Sequence, residues 1–310
     1  MVSDIFYFLV FPGLLFSGIA GGLLAWFDRK VTARVQFRKG PPVLQPFYDF
    51  FKLLLVKETI LPKQGSPILF LLAPVFSVTG AVLSAVFILL PLFNITTGFR
   101  GDIIVIFYLL TIPSFSYITG SLASGNPLAA VGGSREMKLI MSYELTFLLV
   151  VAGIILKSGG QTDLYSIILT QQATSSYIGS ISGVMLFIAG IFCLQAKMAI
   201  VPFDMPEAEA EITEGIFIEY SGAAYALIKL SKYIMLLALP SLIAAMLMGG
   251  FRFEGINIVW SILKIPVIVL LLTLIRNTNP RIKIKQAVSF FLVWMNLLAV
   301  GAIVLIFFGL

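Results

Sequence analysis

The residues able to do chemistry in this 310-residue chain are unevenly placed. Six of its 15 acids, Asp204, Glu207, Glu209, Glu211, Glu214 and Glu219, fall in one run, VPFDMPEAEAEITEGIFIEYSG. Carboxylates this close together raise one another's proton affinity towards values at which protons exchange. On a continuous helix Asp204, Glu207, Glu211 and Glu214 share one face. The pair Asp204 and Glu207 also has the spacing of a helix capping box, and Pro206 suits a first helical turn. A cap of that kind uses two acids and leaves four to be explained.

A second set of ionisable groups lies in or beside long apolar runs, where charge is costly and usually faces a polar interior. Glu144 occurs in the triplet SYE, with Arg135 and Glu136 shortly before it. Lys229 and Lys232 are three residues apart on one helical face, and Glu219 precedes them. By helical rise the two lysines lie ~14 to 18 Å beyond the start of their run, near mid-membrane. Lys264 stands beside Pro266, where a kink would free backbone carbonyls. These groups form a candidate buried line of alternating acid and base; snorkelling or structural pairing is the competing role for each lysine. The chain has no histidine and one cysteine, Cys193. A haem, a cysteine-ligated iron–sulfur cluster or a histidine-bound zinc cannot be assembled from it alone.

The elements that must carry these residues follow from composition. Apolar residues make up 59% of the chain and charged ones 12%, against roughly 45–50% and 25% in soluble domains. A hydrocarbon layer about 30 Å thick takes about 20 apolar residues at 1.5 Å each. Eight such runs occur, at about 5–27, 68–92, 103–124, 139–156, 178–196, 220–247, 257–275 and 287–308. The expectation is an all-α polytopic membrane protein of about eight transmembrane helices, with one membrane domain over residues 1–310. Residues 1–27 lack a cationic leader and a cleavage signature, so they read as a retained first span in a protein starting near Met1. The stretch 44–57, LQPFYDFFKLLLVK, reads as an interfacial amphipathic helix, with an ordinary packed connecting helix as the alternative.

Cation placement tests this map. Of the 21 Lys and Arg residues, 15 fall in the first, third, fifth and seventh loops. Only Arg100, Lys157 and Arg252 fall in the even loops, and Lys229, Lys232 and Lys264 fall inside spans. Because Lys and Arg mark cytoplasmic loops, both termini are expected outside the cell membrane and the acidic segment 197–219 in the cytoplasm. The net charge of +6 is then a topology signal, and nucleic-acid binding is excluded.

PFDMPEAEAEITEG followed by EYSG, together with VTARVQFRKGP after the first run, resembles the membrane subunit that joins the peripheral and membrane arms in respiratory complex I and in energy-converting membrane-bound [NiFe] hydrogenases. The similarity covers about residues 28–235. Complex I members carry an arginine and an alanine before Pro-Phe-Asp, where Ile200 and Val201 stand here, and tend to have glutamate at the position of Lys232. SREM, Ser134 to Met137, is similar to the hydrogenase branch. The resemblance implies a non-catalytic anchoring and coupling subunit of an archaeal-type membrane-bound hydrogenase or its sulfur-reducing relative, in which ferredoxin oxidation drives H⁺ or Na⁺ export. It implies partners: a [NiFe]-type large subunit, an iron–sulfur small subunit, a ferredoxin-like subunit and antiporter-like membrane subunits, which hold the [NiFe]-type centre and iron–sulfur clusters. No cofactor falls to this chain. Docking of the peripheral arm would fall on Arg29, Arg34, Arg38, Lys39, Arg135 and Glu136. By resemblance the charge relay would fall on Glu144, Asp204, Glu207, Glu209, Glu211 and Glu219, and the placing of charge in and beside the apolar runs adds Glu214, Lys229, Lys232 and Lys264 as candidates.

Two other readings compete. One is a quinone-binding subunit of complex I, with a cavity between the first span, the amphipathic stretch and the acidic segment. The other is a stand-alone ion transporter, weakened by the absence of paired halves. The charge map predicts that single cysteines placed in loops 28–66, 125–138, 197–219 and 276–286 of a Cys193-free chain will resist an impermeant reagent added outside intact cells. Labelling of any one of them from outside would overturn the orientation.

Overall fold

The computed structural model describes residues 2–95, 102–253, 255 and 257–309. Met1 and Arg100 lie outside the described residues. These residues form helices joined by short connections, with one isolated bridge between Asp102 and Asp163. Seven helical stretches are long and apolar enough to cross a bilayer. The first combines α1 (Val2–Leu9) and α2 (Leu14–Val35). After the short α3 (Gln45–Leu55) come α4 (Pro67–Leu92), the pair α5 (Ile103–Leu109) and α6 (Ile112–Ala123), and α7 (Pro127–Lys157). Next are α8 (Leu164–Ala173), α9 (Ile181–Lys197) and the single-turn α10 (Glu209–Ile212). The chain ends with α11 (Gly222–Leu247), α12 (Asn257–Thr278), α13 (Ile284–Ser289) and α14 (Asn296–Phe307), the last two joined through a π-helical turn. The eighth apolar helix, α9, has 17 residues and rises about 25 Å, somewhat less than a bilayer core. The expected count of about eight is met, with one short member.

The fourth span departs furthest from its expected bounds. Apolar run length puts residues 125–138 in a loop before a span at 139–156, yet α7 starts at Pro127 and runs 31 residues, about 46 Å. Arg135, Glu136 and Lys138 end the apolar run without ending the helix. Asn126 caps it, its side-chain oxygen accepting from the Leu128 amide at 2.9 Å, and Pro127 fits the first turn. The extra turns of α7 carry charge alongside the acidic segment.

α3 forms inside the stretch expected to be amphipathic. Its Phe47 ring lies against Gly22 of α2, while Tyr48, Phe51 and Leu55 are exposed on the other side. That apolar outer face is what a helix lying along a membrane surface requires.

α11 is the centre of the bundle, packing on α4, α2, α3, α12 and α9. Of its apolar window 89% is buried within the chain, against 22% for the last span. Helices in lipid gain little from the hydrophobic effect and associate through close backbone approach and polar contacts. Ser231 of α11 meets Ser77 of α4 at 2.6 Å and the Tyr117 hydroxyl of α6 at 3.1 Å. Gly21 of α2 approaches α11 so closely that a Cβ there would stand 2.0 Å from the Tyr233 carbonyl oxygen. Gly21→Ala should therefore destabilise the fold by about 1–3 kcal/mol or more, read as a lowered thermal midpoint in detergent. A methyl added at Gly179 would meet nothing within 4 Å, so Gly179→Ala should stay within about 0.5 kcal/mol.

Candidate functional site

At the end of the bundle that holds the acidic segment, a cavity of about 330 Å³ opens between α2, α6, α7, α11 and the connection after α9. Its walls carry five acids, Asp28, Glu136, Asp204, Glu207 and Glu209, and five bases, Arg29, Lys197, Lys232, Arg276 and Arg281. Such a balance lets a water-accessible pocket persist inside an apolar bundle, because most of these charges meet an opposite.

The acidic segment is irregular, which corrects the expectation that four of its acids share a helix face. A 3₁₀ turn at Met205–Glu207, the single turn α10 and a second 3₁₀ turn at Gly215–Phe217 succeed one another. Thr213 and Glu214 between them have φ of 43° and 68°. The capping box is not formed either: Asp204 makes no side-chain cap hydrogen bond. The prolines at 202 and 206 remove amide donors, and tertiary contacts fix the resulting path. Gln195 Nε2 donates to the Val201 carbonyl at 2.6 Å. On the far side α7 comes so near that a Cβ on Gly132 would lie 2.7 Å from the Ile216 amide nitrogen.

Ion pairs then divide the acids among different neighbours. Lys232 of α11 binds Glu207 at 2.5 Å and lies 4.6 Å from the Phe217 ring centre. Arg281 holds Asp204 at 2.8 Å, and Arg276 holds Asp28 at 2.9 Å. Burial pushes the Asp204 carboxyl above the ordinary aspartate range, while Arg281 and Arg276 oppose that rise. Arg135 reaches Glu211 at 2.6 Å and the Met205 carbonyl at 3.3 Å, and Asn126 donates to Glu219 at 2.6 Å. At the α2–α3 contact Arg29 meets Asp49 at 2.8 Å. Burial works against the Asp49 charge, but hydrogen bonds from Arg29 and Gln45 outweigh it and hold the carboxyl below its usual range.

The profile of the family described as NADH dehydrogenase matches residues 8–308. The chain belongs to the NADH dehydrogenase family. An NADH-quinone oxidoreductase subunit of Brevibacillus brevis is 33% identical over 95% of this chain and 90% of its own length. The Bacillus cereus subunit of the same name is 34% identical over 93% and 89%. A chain from the solved structure of the membrane-bound sulfane sulfur reductase, described as an archaeal respiratory membrane complex, superposes with a TM-score of 0.87. It is 24% identical and covers 98% of this chain and 99% of its own, a likeness of fold.

In this member of the NADH dehydrogenase family the residues singled out from sequence do not form one continuous line. Glu207, Lys232, Asp204 and Glu209 come together in the cavity. Glu219 does not lie against the lysines but on Asn126 at the start of α7. Lys229 lies over the Tyr225 ring, 4.9 Å from its centre. Lys264 is elsewhere: its ammonium donates to the carbonyls of Met248 and Gly250 at 2.7 and 2.5 Å, just beyond the opposite end of α11. There it satisfies helix-terminal carbonyls, away from the cavity. Glu211 and Glu214 are exposed. Among the docking candidates, Arg34, Arg38 and Lys39 are exposed, whereas Glu136 is 2% exposed and faces the cavity.

Several site residues escape a reading of the sequence. Asp28, Asp49, Arg276 and Arg281 look like ordinary loop charges, and only folding pairs them across the chain. Phe37, with φ 58° and 99% exposed, projects among the basic residues after α2. Lys197 counts as a loop cation by position, yet it closes α9 and is 6% exposed. Nothing in its local sequence signals that. The Lys232–Glu207 pair offers a direct test by double-mutant cycle. Lys232→Met and Glu207→Gln should each destabilise the protein, while the double variant recovers part of the loss, with a coupling of about 0.5–3 kcal/mol read from denaturation midpoints. Additive losses would show that the two do not interact.

Proposed function

We propose that the chain is the membrane-anchoring and energy-coupling subunit of a multisubunit, ferredoxin-dependent membrane-bound hydrogenase or sulfur-reducing complex, and that it links electron transfer in a peripheral arm to H⁺ or Na⁺ translocation. The observation that carries this reading is the charge-lined cavity: ten acidic and basic side chains surround it, next to an exposed basic segment, Arg34, Arg38 and Lys39 around Phe37. A chamber that carries as many acids as bases is suited to passing on a change of charge. An exposed aromatic side chain in a basic setting is suited to seating a hydrophilic partner. Family membership supports the complex-subunit part of the reading, since the relatives are subunits of oxidoreductases matched over nearly their whole length. The [NiFe]-type centre or its metal-altered relative and the iron–sulfur clusters belong to partner subunits in this proposal. The chain forms one membrane domain in the cell membrane, with termini outside and the acidic segment facing the cytoplasm.

A quinone-binding role is the second reading, since the relatives are NADH-quinone oxidoreductase subunits. A lipid-soluble quinone needs apolar walls along its tail. Here Lys232 enters the cavity to meet Glu207, where the complex I relatives tend to have glutamate, and Ile200 and Val201 stand where those relatives carry arginine and alanine. These departures favour a chamber that works without quinone. Purification of the complex in mild detergent discriminates the readings. Iron, nickel or a second redox metal, several hydrophilic subunits and ferredoxin-linked turnover without bound quinone are expected. Stoichiometric quinone, or specific inhibition by quinone-site inhibitors, would restore the complex I reading, and an isolated chain free of partners would point to a transporter.

A further inference from the structure

Lys197 is the least satisfied charge in the described bundle. It is 6% exposed, and its ammonium nitrogen makes no hydrogen bond among the described residues. It lies instead among three rings, 5.3 Å from the centre of Tyr143 and 5.8 Å from those of Phe107 and Phe147. Ring faces attract a cation, and more strongly when it is desolvated, but they fill none of its three donor positions.

Two carboxylates share this neighbourhood, and both are on α7. Glu136 lines the cavity, is 2% exposed, and leaves Oε2 without a hydrogen bond. Glu144, eight residues on, leaves Oε1 buried and unbonded, while exposed Met141, Leu145 and Leu148 surround it on the outer face of the helix. An eight-residue step on a helix sets the two acids about 12 Å apart along the axis and turns one roughly 80° from the other. Lys197 and Glu136 line the same cavity and Glu144 lies within the electrostatic reach of the ammonium, which makes no hydrogen bond to either acid. Glu207 and Lys232, which pair with each other at 2.5 Å, also act on Glu136. Cys193 and Tyr143 are the other titratable groups beside Lys197.

We infer that Lys197 is a counter-ion shared between Glu136 and Glu144, a positioning residue that joins the charge-lined cavity to the lateral face of α7. One cation can compensate one buried carboxylate, and an uncompensated second one costs several kcal/mol in an apolar surround. The trio therefore holds one proton on the acid that the lysine does not neutralise. Swinging the flexible four-carbon stem from one acid to the other exchanges their roles: the newly approached acid releases its proton, and the one left behind takes a proton up. Atoms and charge balance, because the trio gains and loses one proton per exchange. This rests on the coupling function proposed above and names the residue through which that coupling would leave the cavity.

The test counts protonated glutamates in the purified, intact complex by infrared difference spectroscopy, with carboxyl-¹³C glutamate to identify the bands. Relative to the unmodified complex, Glu136→Gln and Glu144→Gln should each remove one protonated-glutamate band, because the remaining acid then has the lysine to itself. Lys197→Met should add one band, and Lys197→Arg should leave the count unchanged. Should Lys197→Met fail to assemble, the two glutamine variants still decide the matter. A lysine with a purely structural role would leave the count unchanged in Lys197→Met, and that result, or two bands already present before substitution, would overturn the inference. The band count needs no knowledge of the redox partner. Absence of ion export by the unmodified complex in sealed vesicles would instead overturn the proposed function, so the two failures are separable.

Discussion

Desolvated charge is the constraint on which the rest of this structure depends. The chain brings ten acidic and basic side chains around one cavity in a bundle that is otherwise apolar, and each unmatched charge there would cost several kcal/mol. The fold answers with pairs drawn from distant parts of the sequence. Arg276 reaches Asp28, Arg281 reaches Asp204, and Lys232 reaches Glu207. Together the pairs tie α2, α11, α12 and the connections beside them, so the electrostatic solution also fixes how the cavity end of α12 sits against α2 and the acidic segment. The carbonyl of Pro202 takes the Ile282 amide at 3.3 Å, adding a backbone tie at the same seam.

The irregular course of the acidic segment follows from the same need. A regular helix through 204–214 would place its acids on one face and gather like charges. The observed turns distribute them: Asp204, Glu207 and Glu209 towards the cavity, Glu211 onto Arg135, Glu214 into the open. Close approach of α7 at Gly132 holds this path in place, which is why α7 extends beyond the thickness of a bilayer core. Belonging to the NADH dehydrogenase family accounts for the overall arrangement. Lys232 and Lys197 are among the five bases that line the cavity.

Membrane helices also pack by a different logic from that of soluble ones, and here it is visible at α11. Its burial comes from glycine contacts and hydroxyl bridges, Gly21 against Tyr233 and Ser231 between Ser77 and Tyr117. The least buried spans, α12 and the final one, frame the bundle and leave apolar surface suited to lipid or neighbouring subunits.

The sequence by itself determined the fold class, the amphipathic character of α3 and the segment that would carry the acids. Apolar run length and charge spacing are local properties, and the bilayer's thickness translates the first directly into helices. The family resemblance was legible too, because the PFDMPEAEAEITEG motif is contiguous. Only the tertiary structure decided which charges meet. Glu219 and Lys264, expected in one line, are drawn to Asn126 and to the carbonyls beyond α11. Glu136 and Lys197, one expected at a docking surface and the other in a loop, turn out to be buried together beside the cavity. A charge's partner is set by its distance in space and by the dielectric around it, and neither quantity is written in the spacing of residues along the chain.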